Sequence, residues 1–207
     1  MINPWDKENP ETFLDILRTT SAARNWCRSG ISELVKARRA TSICEVGFGG
    51  LNERIALAKL RVAYKGIDGS STFVEHARKM FPKDFWIHGN IITGVETADA
   101  DIVYSQHVLE HLPGLNPGLR NMLSLTRDTL LNIFFLPPVD GPEQLCWYHY
   151  PIYHNVYSRE HIRKVCDAHG FDCELRDFSN AEFMHLSDPG KAPIPAVETV
   201  LIATRRK

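Results

Sequence analysis

Ser42-Ile43-Cys44-Glu45-Val46-Gly47-Phe48-Gly49-Gly50-Leu51-Asn52 is the stretch that decides the fold. Residues 42–46 are a short apolar run that stops at glycines, and Asn52 to Leu60 then carries Ile55, Ala56 and Leu60 at helical spacing. Glycines between a strand and a helix let ligand atoms approach the backbone, because no side chain holds them off. The helix behind them offers free N–H groups and the positive end of its dipole. Outward from this loop the pattern repeats. Val62 to Ile67 is a second strand, closed by Asp68. Ser70 or Ser71 caps the next helix, which carries Phe73, Val74 and Ala77 and stops before Pro82. Phe85 to His88, Asp101 to Ser105 and Leu130 to Leu136 are three more strands, the last running into Pro137-Pro138. Strands alternating with helices predict βαβ units, right-handed crossovers and a mostly parallel sheet.

The flanks depart from strict alternation. Pro10-Glu11-Thr12 opens a helical segment with Phe13, Leu14, Ile16 and Leu17, and a second runs through Ile31, Leu34 and Val35, with Gly30 read as separating the two. Residues 1–40 are thus expected to form a helical layer or lid over a core spanning 41–207, all within one domain. After the fifth strand comes an aromatic loop from Trp147 to Tyr157, then a helix from Ser158 to Gly170. Ser158 with His161 makes only part of a capping box. Two strands follow, Phe171 to Phe178 and Thr199 to Thr204, with a turn at Ser187-Asp188-Pro189-Gly190 between them.

Bulk properties exclude several classes. The 207 residues carry a formal net charge of -1, and the basic clusters at Lys36 to Arg39 and Arg205 to Lys207 read as a solvated helix face and a tail. No basic stripe marks a nucleic-acid partner. No apolar run is long enough to cross a bilayer, and the N-terminus lacks a signal pattern. Cys27, Cys44, Cys146, Cys166 and Cys173 are odd in number and form no CxxC pair, which fits reduced thiols in the cytoplasm. Cys44 reads as a small core residue.

An acid closing the second strand, about 20 residues beyond the first glycine, can accept hydrogen bonds from both hydroxyls of a ribose. The bland alternative is a tight turn beside a surface aspartate. A dinucleotide fingerprint requires a third glycine where this chain has Asn52. Glu45, two residues before Gly47, would repel a pyrophosphate but attract an ammonium.

On these residues the chain resembles the class I S-adenosylmethionine-dependent methyltransferases, and is most similar to small-molecule enzymes of the ubiquinone-biosynthesis O-methyltransferase type. The resemblance covers roughly residues 40 to 178. It implies a Rossmann-like α/β fold: a mostly parallel seven-stranded sheet, helices on both faces and an antiparallel last strand. Glu45, Gly47 and Gly49 match the family's acidic-x-Gly-x-Gly motif. The family's next glycine is Leu51 here, and Gly50 is expected to supply the missing room. Asp68 matches the ribose-binding acid, with Gly69 and Ser70 beside it. Asn90 and Ile91 match the adenine-binding place after the third strand. Asp101 to Pro113 matches the fourth-strand motif, placing Gln106 toward the methyl donor. The cosubstrate implied is S-adenosylmethionine, and the reaction implied is methyl transfer to an oxygen or nitrogen of a small molecule. A nicotinamide-dependent oxidoreductase and a binding module without catalysis are the rivals.

His107-Val108-Leu109-Glu110-His111 also spells the H-x-x-E-H pattern of some metalloproteases. That pattern belongs on a long helix, whereas here it follows a strand. At the carboxyl end of a sheet, where ligands bind in open α/β folds, His107 or His111 can instead take a proton from an acceptor. Histidine suits the task because its ordinary pKa lies near neutrality. The bland reading of His111 is a packing residue at a helix start. Relatives of the ubiquinone type can hold a divalent cation with a Glu-His pair that Glu110-His111 matches. The acids that precede that pair are replaced by Gln106 and His107, so no metal is expected. Tyr148, His149, Tyr153 and His154 in the aromatic loop are the candidate acceptor contacts, the alternative being packing on the sheet edge.

Overall fold

The computed structural model describes Asp6 and residues 23–95, 99–149, 152–185 and 194–207. Its centre is a sheet of seven strands: β1 (Ser42–Val46), β2 (Ala63–Asp68), β3 (Phe85–His88), β4 (Ala100–Gln106), β5 (Thr126–Phe134), β8 (Phe171–His185) and β9 (Ile194–Arg205). Their order is β3-β2-β1-β4-β5-β9-β8. The first five are parallel, β9 is antiparallel to β5, and β8 is antiparallel to β9. A separate two-stranded ribbon pairs β6 (Trp147–His149) with β7 (Ile152–Tyr153), inside the segment read as an irregular aromatic loop.

Parallel strands buried on both faces read as continuous apolar runs. All five residues of β1 are buried. On one face Cys44, Val46, Val103, Leu130 and Leu201 pack against α4 (Leu115–Leu125) and α5 (Arg159–Ala168). On the other, Ile43, Tyr64, Ile102, Tyr104, Leu131 and Val200 meet α1 (Ala23–Arg38), α3 (Ser71–Met80) and the residues Leu51 and Leu57 that flank α2 (Asn52–Ala56).

Several expected bounds change, the last two strands among them, which run over Phe171–His185 and Ile194–Arg205 instead of 171–178 and 199–204. The helix α1 runs through Gly30 without a break. A mid-helix glycine costs about 1 kcal/mol, and burying Ile31 and Val35 against the sheet outweighs it. The helix after the glycine loop ends at Ala56, not Leu60. The fifth strand starts at Thr126, directly where α4 ends, and stops at Phe134. It stops there because the N–H groups of Phe135 and Leu136 point to the Glu110 carboxylate instead of a neighbouring strand. The helical segment expected from Pro10 and the turn at Ser187 to Gly190 lie outside the described residues.

β5 pairs with residues 199–204 of β9, whereas β8 pairs with β9 from 194 to 205. The β8–β9 ribbon therefore overhangs the carboxyl end of β5, and Glu198 is its first residue beyond the shared sheet.

Candidate active site

The strand order reverses between β1 and β4, so a cleft opens at their carboxyl ends. The glycine loop fills one side of it. Gly47 and Gly49 are left-handed, with φ of 72° and 46°. The Gly47 N–H donates to the Ile67 carbonyl at 2.8 Å, tying the loop to β2. A Cβ on Gly47 would lie 2.3 Å from Cγ2 of Val108, so the loop rests against the turn that follows β4. Leu51 itself adopts the left-handed conformation, at φ 63° and ψ 22°, just ahead of α2. That conformation costs a non-glycine residue roughly 1–2 kcal/mol, and the fully buried Leu51 side chain offsets it.

Asp68 ends β2 with its carboxylate between the loop and α3. Oδ2 accepts from the Gly49 N–H at 3.1 Å and Oδ1 from the Ser70 N–H at 2.8 Å. Burial pushes its pKa up to about 6, the Ser70 and Gly49 N–H groups oppose the rise, and the charge of Asp6 adds to it. Ser70 caps α3 by accepting from the Phe73 N–H, and Gly69 accepts from the His88 ring through its carbonyl. Asp6 arrives from far along the chain. Its Oδ1 accepts from the Ser71 N–H and the Ser70 hydroxyl, both at 2.9 Å. Burial works against the Asp6 charge, but the hydroxyls and N–H groups of Ser70, Ser71 and Thr72 hold its carboxyl below the usual range. Glu45 is buried at the end of β1 and accepts from the Tyr64 hydroxyl. After β3, Asn90 Oδ1 accepts from the Ile92 N–H at 2.9 Å, and the Ile91 side chain packs into the core. A buried acid at the end of the second strand, held by two backbone N–H groups beside left-handed glycines, is an arrangement able to take a ribose-bearing ligand.

The other side of the cleft is the turn after β4. Gln106 accepts from the Tyr104 hydroxyl at 2.8 Å, while its buried Nε2 has no partner among the described residues. His107 is left-handed, at φ 55°. Its Nε2 donates to Oε1 of Glu198 at 2.7 Å, and its ring lies 5.3 Å from that of Phe135. Glu110 is fully buried in a single 3-10 turn, Leu109–His111. Its Oε1 accepts from the Phe135 N–H at 2.6 Å. Burial pushes the Glu110 pKa up to about 8, despite the N–H groups it receives. His111 donates from Nδ1 to the Tyr153 carbonyl at 2.9 Å, and its ring lies 5.2 Å from that of His154. Burial, aided by the charges of His154 and His107, pulls its pKa down to about 4. The H-x-x-E-H residues thus sit on a strand end, and their two imidazoles turn to different partners. Among the described residues, no group of three or more His, Cys, Asp or Glu is placed to hold a metal ion.

Tyr153 and His154 approach the turn through buried Asn155. The Asn155 N–H donates to the Glu110 carbonyl and its Nδ2 to the Leu112 carbonyl. Tyr148 and His149 lie on β6, and their side chains fall outside the described residues. Sequence reading missed Glu198, Phe135 and Asp6. Glu198 and Asp6 reach the site across 91 and 64 residues of chain, and no local pattern marks either.

Residues 44–129 match the family described as "Methyltransferase domain". No curated protein matches the chain. Among solved structures, it is similar to the magnesium protoporphyrin IX methyltransferase of Synechocystis PCC 6803 with bound S-adenosylmethionine. Identity is 17% over 89% of this chain and 82% of that one, with a TM-score of 0.58. It is also similar to the 1,6-didemethyltoxoflavin-N1-methyltransferase of Burkholderia thailandensis, solved with 1,6-didemethyltoxoflavin and S-adenosylhomocysteine. There identity is 14% over 93% and 82% of the two chains, with a TM-score of 0.68. The matched residues run from β1 through the glycine loop, Asp68 and the turn after β4 into β5, and the whole sheet has the Rossmann-like fold of these S-adenosylmethionine-dependent methyltransferases.

Proposed function

We propose that the protein is an S-adenosylmethionine-dependent methyltransferase that acts in the cytoplasm on an oxygen or nitrogen of a small molecule. The observation that carries the reading is the meeting of two left-handed glycines with the doubly held Asp68, facing the turn after β4. In this reading Asp68, flanked by Gly69 and Ser70, accepts the ribose hydroxyls. Gly47, Gly49 and Gly50 line the methionine portion, with Glu45 toward its ammonium. Asn90 and Ile91 border the adenine, and Gln106 borders the sulfonium. Tyr148, His149, Tyr153 and His154 surround the acceptor, with His107 and His111 as candidate bases. Bound S-adenosylmethionine supplies an already activated methyl group. The chain therefore has to orient the acceptor and exclude water, which can together lower the barrier by several kcal/mol.

A net charge of -1 gives no attraction to nucleic acid, and two similar folds belong to enzymes named for a porphyrin and a toxoflavin precursor. Calorimetry with S-adenosylhomocysteine and with NAD tests the cofactor. The first should bind, the second should not, and Asp68→Ala should abolish the first. Radiolabelled methyl transfer to a cell extract, separated into small molecules and macromolecules, tests the acceptor. Label confined to the macromolecules would overturn the small-molecule reading.

A further inference from the structure

We propose that Glu198 positions His107 as the general base, and that the acceptor therefore belongs to the class that must lose a proton on methylation: a hydroxyl or a ring N–H. The inference rests on the methyl-transfer reading above.

Three observations carry it. First, His107 holds a left-handed backbone at the end of β4, a conformation that histidine tolerates better than most residues but that still costs energy. The turn takes its ring across the end of β5 to reach Glu198 on β9, 91 residues away in sequence. Second, a carboxylate oxygen accepts, so the proton shared at 2.7 Å sits on Nε2 and the lone pair is on Nδ1. Among the described residues Nδ1 makes no hydrogen bond. Third, Glu198 Oε2, Gln106 Nε2 and Glu110 Oε2 are buried at this one end of the sheet with no partner among the described residues. Buried polar atoms are seldom left so, and three together mark the place of a polar ligand.

His111 is the lesser base. Its Nδ1 is committed to the Tyr153 carbonyl, and the charges around it disfavour its protonated form. The titratable groups around His107 are Glu198 on β9, Glu110 and His111 on the turn after β4, and His154 after β7.

The step balances as follows. The acceptor heteroatom bonds to the methyl carbon while the methyl–sulfur bond of S-adenosylmethionine breaks, and the sulfonium leaves as the neutral thioether S-adenosylhomocysteine. The acceptor proton passes to Nδ1 of His107. The imidazolium so formed faces the Glu198 carboxylate. A carboxylate acceptor would need no such base.

Two measurements test this on the full chain. Nitrogen-15 spectra of the imidazoles read the dyad without any acceptor. His107 should carry its proton on Nε2, and Glu198→Gln should weaken that preference. An Nδ1–H tautomer, or a His107 that ignores Glu198→Gln, overturns the dyad. Turnover is then followed as S-adenosylhomocysteine release with four probes: catechol, xanthine, benzoate and benzylamine. Catechol or xanthine should be methylated. His107→Asn, which keeps a left-handed-tolerant side chain, should lower kcat by about 100-fold or more. Glu198→Gln should lower kcat by roughly 10-fold or more with KM unchanged, shift the pH profile, and be partly rescued by Glu198→Asp. Preference for benzoate or benzylamine, no turnover of any probe, or full activity in His107→Asn overturns the acceptor class. S-adenosylhomocysteine binding, measured beside these, separates the two failures. If it is absent, the methyl-transfer reading itself fails.

Discussion

In the proposed role Asp68 accepts two ribose hydroxyls and must be ionised to do so, yet burial raises its pKa to about 6. S-adenosylhomocysteine affinity should therefore fall roughly tenfold between about pH 7.5 and about pH 5. Calorimetry across that range checks it, and Asp68→Asn should bind weakly with no such slope. Asp6 adds to the effect because it holds a second carboxylate beside Asp68. The glycine loop shows how finely a residue is fixed by its neighbours. Gly47→Ala should destabilise the fold and weaken S-adenosylhomocysteine binding, since its Cβ would strike Val108 and its φ is left-handed. Adding Val108→Ala should recover part of the loss, and only the part due to the clash. Thermal unfolding of the single and double variants measures that share; equal melting points would assign the whole cost to the backbone.

At the scale of elements, the strands around the glycine loop were legible because β1 to β4 are short apolar runs closed by glycine, acid or polar residues. Asp68 and the glycines followed from spacing, and the β4 turn from the resemblance. The start of β5 was not legible. Thr126-Arg127-Asp128 is polar, and the strand forms there because it leaves α4 without a loop and pairs with β4 at Ala100. Its end was hidden as well, since a buried Glu110 carboxylate captures the next two N–H groups. The β6–β7 ribbon has only two or three residues per strand, too few for alternation to declare itself. Leu51 broke the expected glycine spacing, and the structure shows why it can: burial of an entire leucine offsets a left-handed backbone.

Over the whole molecule, two adjacent buried groups give stability a shape against pH. Glu110 is raised to about 8, so the folded state keeps a proton that the unfolded chain loses above its ordinary 4.5, and stability falls as pH rises through that window. His111 is lowered to about 4, so the unfolded chain binds the extra proton below its ordinary 6.5, and stability falls as pH drops through that window. The two slopes oppose one another below pH 6.5, and Glu110 acts alone above it. Urea unfolding should show about 1–2 kcal/mol lost between pH 6.5 and pH 8, and Glu110→Gln should flatten the decline. An unchanged slope in that variant would place the pH dependence elsewhere. The overhanging β8–β9 ribbon has a mechanical meaning as well. Glu198 stands where that ribbon leaves the sheet, at the root of an arm that projects beyond the end of β5. Its hydrogen bond to His107 ties that root to the turn after β4, so two segments 91 residues apart in sequence are held together at the carboxyl edge of the sheet.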